Sequence, residues 1–144
     1  DSLQRLLEEA GLQIAANVAA PNTTLRPDLQ TIIDGDRFLI DVAIPHDDRR
    51  NLERAHLEKA TKYAGLGTVL PLVVGALGSW LPSNDQIART LGIAPRRWAA
   101  FRTSARLSAT TATCRIAAAH TAKRGNAEDV ASAFPDQDSD RLSE

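Results

Sequence analysis

Four residues could do chemistry together: Asp28, Asp41, Lys59 and Lys62. Asp28 follows Pro27 at the start of a predicted strand. Asp41 lies in the next strand between Ile40 and Val42, where a carboxylate is otherwise costly. Between the strands, Asp34-Gly35-Asp36 supplies a tight turn, because Asp-Gly readily takes the positive φ a hairpin needs. A hairpin centred between positions 34 and 35 sets 28 opposite 41. Like charges placed opposite one another destabilise a sheet unless a cation sits between them, and hard divalent cations favour oxygen ligands. On the helix that follows, about 100° per residue puts Leu52, Ala55, His56, Lys59, Lys62 and Tyr63 on one face. Laid on the sheet, that face extends a lysine toward the two aspartates. A metal and a lysine beside an anionic phosphate are the equipment of phosphodiester hydrolysis. The metal polarises the phosphoryl group and lowers the pKa of the attacking water, and the lysine orients that water or stabilises developing charge.

Lys59 is nearer the middle of the Leu52–Tyr63 stripe, so it is expected inward, with Lys62 at the rim contacting substrate phosphate. Taken singly these residues have plainer readings: Asp28 as a residue opening a strand, Asp41 on a half-exposed strand, the lysines on a surface. His46 and His56 read as loop and helix-surface residues rather than ligands. The order and spacing of the set set it apart from its members.

The elements that must position this set follow from periodicity. Leu3, Leu6, Leu7, Ala10, Ile14 and Val18 predict an amphipathic helix over 2–19, with Gly11 its soft point. Residues 20–27 read as loop. Strands are predicted over Leu29–Ile33 and Arg37–Ile44. A helix follows over Arg49–Ala64, opened by Asp47 and Asp48 and stopped by Gly65 and Gly67. Thr68–Val74 is β-branched and apolar and reads as a buried third strand. Ser83 with Gln86 forms a capping-box pattern for a short helix to Leu91, and Pro95 opens a long helix to about Lys123. The order α–β–β–α–β–α–α predicts an α/β domain with a small mixed β-sheet flanked by helices.

Composition bounds the rest. The 144 residues are 43% apolar and 4% aromatic, so a folded domain with an aliphatic core is expected. A single cysteine, Cys114, excludes an internal disulfide framework and reads as a small buried residue. The apolar run Val69–Trp80 is too short to span a bilayer, so no membrane partner is expected. With no Met and a start at Asp1, the chain reads as an excerpt from a longer polypeptide.

Charge is uneven. Residues 126–144 hold six acids and one base, leaving 16 basic against 12 acidic residues elsewhere. Pro95–Gly125 has seven basic residues and no acid, with Trp98 and Phe101 interleaved. Phosphate contact is the functional reading of that helix, and arginines snorkelling from an amphipathic helix is the plain one.

The residues Arg26-Pro27-Asp28, Asp41, Glu58-Lys59 and Lys62-Tyr63, with the run Leu70–Trp80 (LPLVVGALGSW) and Leu91-Gly92-Ile93, resemble the restriction-like endonuclease domain of certain non-LTR retrotransposon proteins, within the PD-(D/E)xK superfamily. The resemblance covers roughly residues 5–124. It implies a restriction-endonuclease-like core, α-β-β-α-β followed by two C-terminal helices. Residues 1–124 would be the nuclease domain and 125–144 an acidic, flexible tail. It implies a metal-dependent DNA endonuclease whose nick leaves a 3′-hydroxyl that primes reverse transcription. Carried over by position, Asp28 and Asp41 would hold Mg²⁺ or Mn²⁺. Asp28, Asp41, Lys59, Lys62 and Tyr63 would form the catalytic set. Arg26, Lys62, Arg96, Arg97, Arg102 and Arg106 would contact nucleic acid. The implied partners are DNA, or RNA of the element, and a neighbouring reverse transcriptase domain; the implied location is the nucleus. The superfamily lysine usually stands two residues after the second acid, where this chain has Ala43. A lysine moved onto the following helix fits the retrotransposon group.

Two other functions are weighed. One is a catalytically inactive nuclease-fold domain acting as a nucleic-acid-binding or scaffold module. The other is a protein–protein adaptor using the apolar Leu70–Leu81 segment as its contact surface, a reading that burial of that segment would remove.

Overall fold

The tight Asp34-Gly35 turn sets the geometry of the sheet. Both residues take positive φ, 51° and 84°, and join two antiparallel strands, β2 (Leu29–Ile33) and β3 (Asp36–Ala43). The register pairs Leu29 with Ile40 and Ile33 with Asp36, so the next step beyond β2 sets Asp28 beside Asp41. In this computed structural model the backbone of residues 2–133 and the side chains of residues 2–119 are described.

A two-residue strand, β1 (Ala15–Ala16), pairs antiparallel with β2, and β4 (Thr68–Val73) pairs parallel with β3, giving a mixed sheet in the order β1-β2-β3-β4. The β3-to-β4 connection is helix α2 (Arg49–Lys62), as a parallel pair requires. Helices α1 (Ser2–Glu9), α3 (Asp85–Leu91) and α4 (Pro95–Ala133) complete the chain. The protein is thus a small α/β domain built on a mixed sheet, as the sequence predicts.

The main core joins Leu3, Leu6 and Leu7 of α1 to Ile40, Leu70 and Leu72 of the sheet and to Ile87, Trp98 and Phe101 of α3 and α4. Side chains alternate along a strand. The face with Ile40 and Val42 therefore meets α1, α3 and α4, while Asp41 meets α2 on the other face. Within β4, Pro71 is tolerated because β4 is an edge strand. Buried Asn84 covers part of that edge: its carboxamide accepts from Val73 N–H at 3.0 Å and donates to Val73 C=O at 2.7 Å.

Several expectations are corrected. The first helix stops at Glu9 rather than 19, because Gly11 (φ 90°) closes it: Gly11 N–H donates to Glu8 C=O and Leu12 N–H to Leu7 C=O. Ser83 does not cap α3. It lies in a 3-10 turn, Pro82–Asn84, with its hydroxyl 3.4 Å from His56 Nδ1. Helix α4 continues to Ala133, so the proposed boundary at 124/125 falls inside it, and residues 134–144 lie outside the described residues. Gly125 does not stop the helix, since one interior glycine costs only about 1 kcal/mol. Cys114 is exposed, not buried. Of the Leu70–Leu81 segment, Leu70–Val74 are buried, whereas Leu77 is exposed and Trp80 and Leu81 are half-buried, so only its first half is withdrawn from contact.

Candidate active site

Asp28, at the mouth of β2, and Asp41, inside β3, converge through the backbone of each other's strand. Asp28 N–H donates to Asp41 Oδ1 at 3.0 Å, and Val42 N–H donates to Asp28 Oδ2 at 2.7 Å. The alternation that buries Ile40 and Val42 toward one core forces Asp41 onto the α2 side, where it is buried. Lys59 reaches it there. Its ammonium lies 2.6 Å from Asp41 Oδ2, with the lysine side chain 26% exposed and that of Asp41 4% exposed. Among the described residues no other donor meets Asp41 Oδ2.

The electrostatics follow from this crowding. Partial burial pushes the Asp28 carboxyl above the ordinary aspartate value; the Val42 N–H pulls it down, and the neighbouring Asp41 charge pushes it up again. Hydrogen bonding to Asp41 holds the Lys59 ammonium above its ordinary value, against its own desolvation.

Helix α2 is built to deliver Lys59. Asp48 caps it, accepting from Arg50 N–H at 3.0 Å. Leu52 and Tyr63 anchor its inner face, and Tyr63 is fully buried. The Tyr63 hydroxyl donates to the Arg26 carbonyl at 3.3 Å, tying the end of α2 to the segment that leads into Asp28. Lys62 is exposed, with its ammonium 5.1 Å from the centre of the Tyr63 ring. Lys59, Asp28 and Asp41 therefore come together, Tyr63 supports them, and Lys62 stays at the rim. Arg26 is exposed beside them.

The basic helix is less free than its acid-free sequence suggests, because its acids come from other elements. Arg97 pairs with Glu9 at 2.9 Å. Arg102 is 4.0 Å from Asp85 and 5.4 Å from the centre of the Trp80 ring. Arg106 Nε donates to Gly78 C=O at 2.6 Å. Arg96 is exposed.

Three residues that spacing did not single out matter to the site or its frame. Asn17 N–H donates to Asp28 C=O at 3.1 Å, with Asn17 in the left-handed region (φ 54°). Asp47, expected only as a helix-start acid, accepts from Leu77 N–H at 2.9 Å, from Ser79 N–H at 3.0 Å and from the Ser79 hydroxyl. Asp85 accepts from both indoles, Trp80 at 3.1 Å and Trp98 at 2.9 Å. All three are non-local contacts, and only the Asn in a loop carries a local signal, its tolerance of positive φ.

Two carboxylates converge, but three of their four oxygens are already engaged: Asp41 Oδ1 by Asp28 N–H, Asp41 Oδ2 by the Lys59 ammonium and Asp28 Oδ2 by Val42 N–H. Among the described residues no group of three or more His, Cys, Asp or Glu side chains gathers.

No family model and no curated protein matches the chain. Among solved structures, the crystal structure of a protein of unknown function, AF1548, is similar at 20% identity and a TM-score of 0.35, over 63% of this chain and 52% of that one. The chain thus spans about half the length of that protein.

Proposed function

We propose that the domain is a divalent-metal-dependent DNA endonuclease of the PD-(D/E)xK type, nicking target DNA to leave a 3′-hydroxyl for reverse transcription by a neighbouring domain. The convergence of Asp28, Asp41 and the Lys59 ammonium on the α2 face of the sheet carries this reading. Asp28 and Asp41 would hold Mg²⁺ or Mn²⁺, which when bound supplies Lewis-acid activation of the phosphoryl group and of the attacking water. Asp41 keeps Lys59 charged, and Lys59 can turn from Asp41 to a phosphate oxygen or to the attacking water. Backbone donation from Val42 and Asp28 holds both carboxylates without torsional search. Lys59 enters from α2 and meets the second acid, so the missing lysine at Ala43 is no obstacle. Lys62, Arg26 and Arg96, all exposed, are the side chains proposed to meet DNA or element RNA. Among the described residues no helix is long and apolar enough to cross a membrane. The nuclear location belongs to this same proposal.

The test is nicking of supercoiled plasmid in Mg²⁺ or Mn²⁺. Asp28→Ala and Asp41→Ala are expected to abolish it with the fold retained by circular dichroism. Undiminished cleavage by both would overturn the assignment. One observation favours a second reading, binding without cleavage: among the described residues no third His, Cys, Asp or Glu joins the pair to make a metal-holding group, so metal affinity rests on two carboxylates. DNA binding with no nicking in either metal would establish that reading instead.

A further inference from the structure

The carboxylate pair is held by donors of two kinds. Asp41 Oδ1 accepts from Asp28 N–H and Asp28 Oδ2 from Val42 N–H, and both donors belong to backbone fixed in or beside the β2–β3 hairpin. Asp41 Oδ2 is met by a side chain instead. The Lys59 ammonium lies 2.6 Å from it, and among the described residues no other donor reaches it. The backbone donors cannot leave without opening the hairpin. Lys59 can, because its side chain is 26% exposed and its ammonium hangs on a flexible four-carbon stem. Asp41 is buried and pinned through Oδ1, so its carboxylate cannot turn outward to meet a cation elsewhere. Only Oδ2 can be vacated, and only by movement of Lys59.

Two adjoining carboxylates need a positive charge beside them, and here the ammonium supplies it. A divalent cation on the same oxygen would stand against that ammonium, and like charges in a partly buried site repel strongly. One position therefore serves two cations in turn. We infer that Lys59 is the resident cation of the Asp28–Asp41 pair, so that a divalent cation binds weakly until a DNA phosphate draws the ammonium away. This rests on the proposed metal-dependent function and adds to it a coupling between DNA and metal. While the ammonium stays on Asp41, only the fraction of molecules with the lysine turned out can take the cation, and apparent affinity is reduced by that fraction. A phosphate that holds the ammonium raises the fraction, and by linkage the cation tightens DNA by the same factor.

The test titrates Ca²⁺, a hard cation that seeks oxygen ligands, into each protein by isothermal calorimetry, with and without a saturating short duplex. Without DNA, Lys59→Met keeps much of the stem and drops the charge, and should bind Ca²⁺ roughly tenfold tighter than the natural protein. Lys59→Arg, still charged, should stay weak. Lys62→Met removes a cation that lies over the Tyr63 ring instead of on the pair, so it should change little. Duplex should tighten Ca²⁺ binding to the natural protein by a similar factor, beyond uptake by the duplex alone, and should move Lys59→Met far less. Lys59→Gln serves if circular dichroism shows that Lys59→Met does not fold. Three outcomes overturn the inference: no gain in the neutral variant, an equal gain in Lys62→Met, or a duplex effect as large in Lys59→Met as in the natural protein. The two readings fail separately. Tighter Ca²⁺ binding by Lys59→Met, without nicking by the natural protein in Mg²⁺ or Mn²⁺, removes the nuclease and keeps the lysine's hold on the pair; nicking with no gain in Lys59→Met does the reverse.

Discussion

At the residue scale the two lysines divide the work. Lys59 touches Asp41, whereas Lys62 lies out over the ring of Tyr63. Three residues advance a helix by about 300°, so neighbours on one stripe can differ this sharply in reach. Lys59→Ala is therefore expected to lose the chemical step while keeping DNA affinity. It also leaves Asp41 without its counterion, so some stability should be lost with it, and Lys59→Arg is the control that restores charge without restoring ammonium geometry. Lys62→Ala should weaken binding and lower the slope of log affinity against log salt by about one. Single-turnover nicking and DNA titrations across salt decide it: a Lys59→Ala protein that cleaves normally at saturating DNA, beside an inactive Lys62→Ala protein, would reverse the roles.

At the element scale, α2 is the part that turns one face of the sheet into a site. Its start depends on the Asp48 cap and its end on Tyr63, whose hydroxyl holds the Arg26 carbonyl. Asp48→Ala and Tyr63→Phe should each cost about 1 kcal/mol in urea melts. They should differ in nicking, since only Tyr63→Phe releases the segment that sets Asp28. Equal rates for the two variants, measured well below their melting temperatures, would show that this tie does not position the acid. How much of this frame could be read in advance follows the range of the interactions. The Asp-Gly turn, the opposition of positions 28 and 41, and the stripe carrying Lys59 depend on local periodicity, and all stand in the structure. Ile14 and Val18 keep helical spacing past Gly11, although backbone bonds have already closed the first helix there. Ser83 and Gln86 match a capping box, yet the neighbouring Asn84 is drawn to the edge of β4 and the helix starts later. The arginines of α4 found acids on α1 and α3 that no window on α4 contains.

At the scale of the whole molecule, the site and the frame respond to pH with opposite signs. Burial raises the Asp28 carboxyl above its ordinary value, so over that window the native state holds a proton the unfolded chain has lost. Stability from this group therefore falls as pH rises through the window. Asp47 behaves the other way. Donation from the Ser79 hydroxyl, assisted by the Ser79 and Leu77 N–H groups, lowers its carboxyl, so its contribution is present above the ordinary carboxylate value and is lost as pH falls through its lowered one. That contribution ties the segment before α2 to the turn after β4, while Arg106 of α4 holds the same turn. Lys59 does not enter until alkaline pH, since its raised ammonium keeps its full contribution below the ordinary lysine value. The metal-free protein is thus expected to be most stable about the ordinary carboxylate value, losing stability on its neutral side as pH rises through the raised Asp28 window and on its acid side as pH falls through the lowered Asp47 one. Asp28→Asn should remove the neutral-side decline, because the carboxamide oxygen can still accept from Val42 while no charge is buried against Asp41. Asp47→Asn should instead lower stability at neutral pH and flatten the acid-side loss. Added Mg²⁺ should raise the melting temperature of the natural protein more at neutral than at acidic pH, since protons and the cation compete for the same pair, and should leave Asp28→Asn nearly unmoved. Thermal melts followed by circular dichroism across the acidic-to-neutral range, with and without Mg²⁺, measure all of these. A neutral-side decline that persists in Asp28→Asn would place its origin outside the carboxylate pair.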